Sequence, residues 1–240
     1  GEGWGMIKLI NAKGATRILP ETMIFKNVPL DFKVPMQSLV GMDGAVKTGK
    51  TTLSSRQFVI SGRIYYPGDK DRIVQELDGL LLFLRYAPIR VYRDKSHDRF
   101  LFAYPLGAQQ DWIDKGIELA LNIPMLALDP YWYGAEILEE VSGTKTIEVD
   151  GNALVAPYVK TKSSVSSLTL INNTTGDEIA VTGSGIIEVD NEEFTCFING
   201  NNRLDAVNSE WLLTGFNLQP GSNSITTNVP VELTYRPRWY

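Results

Sequence analysis

Val231-Glu232-Leu233-Thr234-Tyr235 alternates apolar and polar residues at period two, and Arg236-Pro237-Arg238-Trp239-Tyr240 follows it. The alternation predicts a strand with Val231, Leu233 and Tyr235 on one face and Glu232 and Thr234 on the other. Pro237 has no N–H to donate, so the ladder should break there. Trp239 and Tyr240 are expected to pack back, which makes this segment an ordered, mostly buried element and not a basic tail for nucleic acid.

The residues before it repeat the theme. Ile171-Asn172-Asn173-Thr174-Thr175-Gly176, Gly185-Ile186-Ile187-Glu188-Val189-Asp190, Phe197-Ile198-Asn199-Gly200-Asn201-Asn202 and Leu218-Gln219-Pro220-Gly221-Ser222-Asn223 are short β-type runs punctuated by turns. Asn199-Gly200 is a hairpin signal, because both residues tolerate positive φ. Short strands at near-regular spacing read as an antiparallel β-sandwich.

The first half differs by one helix. Met6–Ile10, Met23–Phe25 and Gln57–Tyr66 are strand-like. Gly68-Asp69-Lys70-Asp71 then supplies a turn and early acids, and Ile73, Leu77, Leu80, Leu81 and Leu84 recur at helical spacing before Pro88. The spacing predicts a helix over about 69–86 with this leucine face on a sheet. Strands resume at 89–92 and 99–104, and again in the run 117–128. Pro124 in that last run favours an edge position or a bulge. Beyond Gly134, Thr, Ser, Asn and Val rise and helix signals vanish. The expected organisation is a β domain over 1–134 with one helix and a β-sandwich over 135–240.

With 240 residues, net charge −5 and a single cysteine, several classes recede. An acidic chain without a basic stripe is not built for phosphate backbones. Cys196 has no disulfide partner in the chain and reads as a small buried strand residue. No apolar run is long enough for a membrane span. Gly1-Glu2-Gly3-Trp4-Gly5 ahead of Met6 lacks the pattern of a signal peptide, so cytoplasmic synthesis is expected.

Gly44-Ala45-Val46-Lys47-Thr48-Gly49-Lys50-Thr51 matches the P-loop letters, with Gly44, Gly49, Lys50 and Thr51 in the defining places. A P-loop must leave a buried strand and open directly into a helix facing the phosphates. Strand-like Gln57-Phe58-Val59-Ile60 follows too soon for that helix. The match reads as a decoy in a loop between strands, and nucleotide binding is the remote alternative. Ser96-His97-Asp98 has triad residue types as chain neighbours, which a triad does not use, and reads as a solvated turn. The acids at Asp190-Asn191-Glu192-Glu193 and the Asp150 turn lack the spacing of a calcium loop. No catalytic group, cofactor or metal site is expected. A sugar-binding reading rests on Trp211 as a stacking platform, with Asp190 and Asn201 as hydrogen-bonding neighbours, for attachment to host glycans.

The order of certain segments carries a resemblance. They are Ile24–Leu30, the β–helix–β middle, Asp129-Pro130-Tyr131-Trp132-Tyr133-Gly134, Asn172–Gly176, Leu218–Asn223 and Tyr235–Tyr240. Together they resemble the distal tail proteins of long-tailed, siphovirus-type bacteriophages and prophages, from about Met6 onward. The resemblance implies an N-terminal β domain forming a hexameric ring and a galectin-like or carbohydrate-module-like C-terminal sandwich outside it. It implies a virion structural role between the tail tube protein and a tail-tip hub or tail-associated protein. A receptor-binding protein or a host glycan is a further partner that it allows. The P-loop letters are no part of that pattern.

Overall fold

The structure is a computed structural model that describes residues 6–27, 32–33, 36–38, 45–47, 52–53, 55–93, 98–114 and 117–240. The chain divides into two compact units, Gly1–Trp132 and Tyr133–Tyr240.

In the first unit the strands are β1 (Lys8–Ile10), β2 (Thr16–Ile18), β3 (Ile24–Asn27), β4 (Phe32–Lys33), β5 (Met36–Ser38), β6 (Ala45–Lys47), β7 (Thr52–Leu53) and β8 (Arg56–Tyr65). The helix α1 (Lys70–Leu84) follows, then β9 (Ile89–Tyr92), β10 (Phe100–Pro105), β11 (Gln109–Asp114) and β12 (Glu118–Ala127). The main sheet runs β2-β1-β9-β10-β12-β8-β3, with β11 also on β12. The short pairs β4–β7 and β5–β6 are antiparallel ladders of their own.

Asp69 caps α1, its carboxylate accepting from the N–H of Arg72 at 3.0 Å, as an Asp at a helix start should. Ile73, Leu77, Leu80 and Leu84 are buried as the stripe requires. Leu81, expected in that stripe, is instead 36% exposed and lies at the flank of the buried arc. The reason is angular: four residues at i, i+4, i+7 and i+11 already fill the core-facing arc.

Pro124 corrects a second expectation, because β12 is a central strand. Its neighbours are β8 along its whole length on one side and β11, then β10, on the other. The Pro124 carbonyl accepts from the N–H of Leu106, at the corner joining β10 to β11. In a strand, N and C=O of one residue point the same way, so the missing donor also faces that corner, where no ladder partner stands.

Arg17 of β2 crosses α1 at Gly79, donating to the Glu76 carboxylate at 2.6 Å and to the Glu76 carbonyl at 3.1 Å. A methyl group on Gly79 would come 3.2 Å from an Arg17 terminal nitrogen. A glycine inside a helix costs about 1 kcal/mol relative to alanine. The part-exposed ion pair returns at most about that much and can shift by tenths of an ångström. Gly79→Ala is therefore expected to stabilise the unit by about 0.5 kcal/mol, read as a 1–2 °C rise in Tm by calorimetry. A fall in Tm would mean that Arg17 cannot move.

β13 (Trp132–Tyr133) lies at the division. The second unit then has β14 (Ile137–Val149), β15 (Tyr158–Thr161), β16 (Val165–Asn172), β17 (Glu178–Gly185), β18 (Ile187–Asp190), β19 (Thr195–Ile198) and β20 (Asn201–Asn202). A 3₁₀ turn at Leu204–Ala206, the short helix α2 (Ser209–Thr214), β21 (Gly221–Tyr235) and β22 (Arg238–Trp239) complete it. The sheet order is β17-β16-β21-β15-β18-β19-β20, with β14 along the other edge of β21.

β21 organises this unit. Its first half pairs with β16 through Ile225–Thr227, and its second half pairs with β15 through Val231–Thr234. Asn228-Val229-Pro230 lies between. There the β14 ladder slips between Val141 and Gly143, and Gly143 takes φ +70°. The freed groups are met locally: the Asn228 side-chain oxygen accepts from the N–H of Thr169 at 2.8 Å, and the Thr227 hydroxyl donates to the Val229 carbonyl at 2.7 Å. One strand thus serves both branches of a mostly antiparallel β-sandwich, and a bulge supplies the bend. Val231, Leu233 and Tyr235 are buried and Glu232 and Thr234 are only half-buried, as the alternation predicts.

The last residues dock through the 151–153 segment. The Arg238 carbonyl accepts from the N–H groups of Asn152 and Ala153 at 3.0 and 3.3 Å. Tyr240 departs from its expected burial. Its N–H reaches the Asn152 side chain at 2.9 Å, which holds the backbone, but the ring is 53% exposed.

Candidate functional site

Gly44, Gly49, Lys50 and Thr51 of the P-loop letters lie outside the described residues, and the described residues on either side of them are strands. Ala45–Lys47 is a strand paired with Met36–Ser38, and Thr52–Leu53 is a strand paired with Phe32–Lys33. β8 begins at Arg56, so among the described residues no helix follows the P-loop letters, as a phosphate cradle would need. Ser96 and His97 also lie outside the described residues.

Trp211 is a core residue and not a platform: it is 0% exposed, and its indole N–H donates to the Asn191 side chain at 2.6 Å. Asn191 is itself buried and donates to the Pro157 carbonyl. The signal that misled was the polar turn beside Trp211. Those amides serve the buried indole, which as a large ring with one N–H needs such a partner. Asp190 uses its carboxylate to accept from the N–H groups of Glu192 and Glu193, at 2.9 and 3.1 Å, closing its own turn. Asn201 is exposed on the hairpin after Asn199-Gly200. The structure does not gather the three into one site.

Asp190 does border a small polar cleft of about 160 Å³ that Tyr158, Glu192, Arg236 and Arg238 also line. That volume is below the roughly 300–1,000 Å³ of ligand pockets. Its arginines are engaged within the unit, Arg236 with Glu136 at 2.7 Å and Arg238 with Glu192 at 2.6 Å. Cys196 is buried in the second core, and burial pushes its thiol up to about 11, so it stays protonated and inert near neutral pH.

Asparagines fill a structural role that links two of the sequence segments noted above. The Asn172 side chain donates to the Asn217 carbonyl at 2.9 Å and to the Asn223 side chain at 3.1 Å, and Asn223 donates to the Gln219 carbonyl at 2.8 Å. Asn172 and Asn223 are fully buried, so this network fixes the 172–176 and 218–223 turns against each other.

The feature that points outward is in the first unit. Strands β11, β12, β8 and β3 form a fully antiparallel set in that order. Among the described residues, β11 and β3 have no partner on their outer edges. β11 is exposed on both faces: Gln109, Gln110 and Asp111 are exposed, Trp112 is 38% exposed and Ile113 is 48% exposed. A strand with neither face on a core and one edge free is a surface for another chain. The sequence hid it, because Gln-Gln-Asp-Trp-Ile-Asp has neither alternation nor β-branched density.

Charge separates the units. Only 6 of the 23 lysines and arginines, but 14 of the 28 acids, fall in 133–240, giving −8 there and +3 in 1–132. The second unit is therefore the strongly acidic one. Among the described residues no helix is long and apolar enough to cross a membrane, and no group of three or more acidic, histidine or cysteine side chains could hold a metal.

Residues 150–239 match the family model of the siphovirus-type tail component, C-terminal domain. No curated protein matches the chain. Among solved structures, the Dit protein (gp 19.1) of phage SPP1, described as a paradigm of the hub adsorption apparatus in phages infecting Gram-positive hosts, is 15% identical. That match covers 98% of this chain and 99% of the other, with a TM-score of 0.71. The phage P2 baseplate in its activated conformation with calcium contains a chain that is 9% identical, with 97% of each chain covered and a TM-score of 0.52. The strontium form gives 10% identity, 96% and 97% coverage and a TM-score of 0.51. Residues 150–239 are thus similar to the C-terminal domain of the siphovirus-type tail component, within a fold that the chain shares over nearly its whole length with the SPP1 Dit protein.

Proposed function

We propose that this chain is a structural protein of a bacteriophage tail, a ring-forming hub that joins the tail tube to the baseplate or tail tip and supports host-adsorption proteins. It acts without catalysis, is assembled in the host cytoplasm and resides at the tail tip of the virion. The ring is a homohexamer made by the first unit. The second unit meets tail-tip, tail-associated or receptor-binding proteins through its acidic surface.

The observation that carries the ring is the four-stranded set β11-β12-β8-β3 with an open edge at each end. Because four is even, β11 and β3 run in opposite directions. Copies related by a rotation can then join β11 to β3 and keep the sheet antiparallel throughout. Such a contact is heterologous, and a closed ring satisfies it on every copy. Likeness to tail hub and baseplate chains supports the same reading.

Electron microscopy and light scattering of the purified protein over a wide concentration range test it, with a six-fold ring expected. Ile113→Lys places a charge on the exposed edge strand without touching the core. The variant is expected to keep its Tm within about 1 °C, since exposed substitutions rarely exceed ±0.5 kcal/mol, and to stay monomeric. Rings from this variant at the parent concentration would remove β11 from the interface.

A further inference from the structure

Trp211 is the buried residue of α2, and its neighbours Leu212 and Leu213 are exposed, Leu213 to 85%. The Gly215 N–H reaches the Trp211 carbonyl at 2.8 Å, so Gly215 stands one turn beyond Trp211 and Leu212. There it meets Phe194. A methyl group on Gly215 would come 3.3 Å from the Phe194 ring, and that ring is centred 5.5 Å from Trp211. Phe194 is itself 41% exposed. Three large apolar side chains thus crowd one short helix at the surface, where a lone exposed leucine would need no explanation.

Phe194 also stands at φ +51°. A left-handed backbone suits glycine or asparagine and is unusual for a bulky residue. Asn199, at the same φ, is of the suited kind. An aromatic residue on a strained and exposed turn points to a use outside its own fold.

The surroundings say what such a use requires. Residues 163–235 hold nine acids and a single basic residue, Arg203. Asp205 engages that arginine at 3.0 Å. Glu193 adjoins Phe194, and Glu210 precedes Leu213 by three residues on α2. Both are exposed, and among the described residues neither has a cation partner. Whatever covers the patch has to bring the compensating positive charge. The nearby edge of β17 is already closed by the Val181–Val207 bridge and by Asn208. The Asn208 N–H donates to the Ala180 carbonyl, and its side-chain oxygen accepts from the Ala180 N–H, both at 2.9 Å. A partner strand has no ladder to join there, whereas a helix closes its own backbone bonds.

We propose that Phe194, Leu212 and Leu213 form a docking patch for an amphipathic helix of a partner protein, with leucine-like side chains on one face and lysine or arginine along its borders. The inference rests on the reading of the second unit as the one that meets partner proteins, and it gives that contact a place and a chemistry.

The test uses the full chain and two synthetic helical peptides of about 18 residues, one of leucine and lysine and one of leucine and glutamate, titrated by fluorescence anisotropy. Phe194 also covers Trp211, so the variants are Leu213→Gln and the pair Glu193→Gln with Glu210→Gln, all at exposed positions. Both are expected to keep Tm within about 1 °C. The leucine–lysine peptide should bind the parent, and Leu213→Gln should weaken it about tenfold. The glutamine pair should weaken it and reduce its salt dependence. The leucine–glutamate peptide should not bind. Unchanged affinity in either variant overturns the proposal, since the attraction is then general to an acidic unit. So does a parent that binds neither peptide or both alike. Leu213-dependent binding to phosphatidylcholine vesicles would assign the patch to lipid and overturn it too. Rings that form in the parent and in Leu213→Gln, with no peptide bound, defeat this inference and spare the hub reading, whereas a parent without rings defeats the hub reading whatever the peptides do.

Discussion

Removing residues 231–240 is expected to unfold the second unit. The deletion takes away Val231, Leu233 and Tyr235, three buried side chains worth roughly 1.5–3 kcal/mol each. It also strips β15 and the first part of β14 of a strand partner. The loss rivals the roughly 5–15 kcal/mol total stability of a domain. Calorimetry of the truncated chain should show the first unit's transition and lack the second. A second transition at the parent temperature would show that the terminal strand is not part of this core.

Gly62→Ala is expected to have a large effect for a single methyl group. An added Cβ would overlap the Thr22 carbonyl oxygen and the Met23 Cα. Both are backbone atoms of the turn before β3, which the Thr22 hydroxyl pins to the Arg63 carbonyl at 2.5 Å. Neither a rotamer change nor a side-chain shift relieves such a contact. Overpacking of this kind costs about 3 kcal/mol, or roughly 6–12 °C in Tm for units of this size. Gly14→Ala is the matched comparison. It is strained by φ +79° but opens onto empty space, so its cost is the conformational term alone, about 1 kcal/mol. Equal Tm values for the two variants would refute the steric argument.

The residues that were legible in the sequence are those whose period meets one core. Val231, Leu233 and Tyr235 are such residues, as are Ile73, Leu77, Leu80 and Leu84 on α1. Asn199 and Gly200, at φ +51° and +76°, were legible for the same reason that turn chemistry is local. Pro124, Leu81 and Trp211 were misread because their positions depend on neighbours far along the chain. A central strand can hold a proline only where its partner strands hand over, and that handover is set by the β10–β11 corner. Burial of Trp211 depends on Asn191, twenty residues away, turning its amide inward. β11 was invisible because nothing in its own side chains requires a strand; β12 imposes it.

The handover along β21 has a consequence for synthesis. The first unit's last main-sheet strand is complete at Ala127, whereas the strand that both branches of the second unit share is complete only at Tyr235. At about 5–20 residues per second, a ribosome needs roughly 5–20 s to travel between those points. For that interval the open edges of the first unit are already formed while the second unit still lacks its middle strand. Nascent chains on one messenger therefore expose the edges of β11 and β3 before any of them carries a finished second unit, so under the proposed edge pairing the order of translation favours contacts between sister chains.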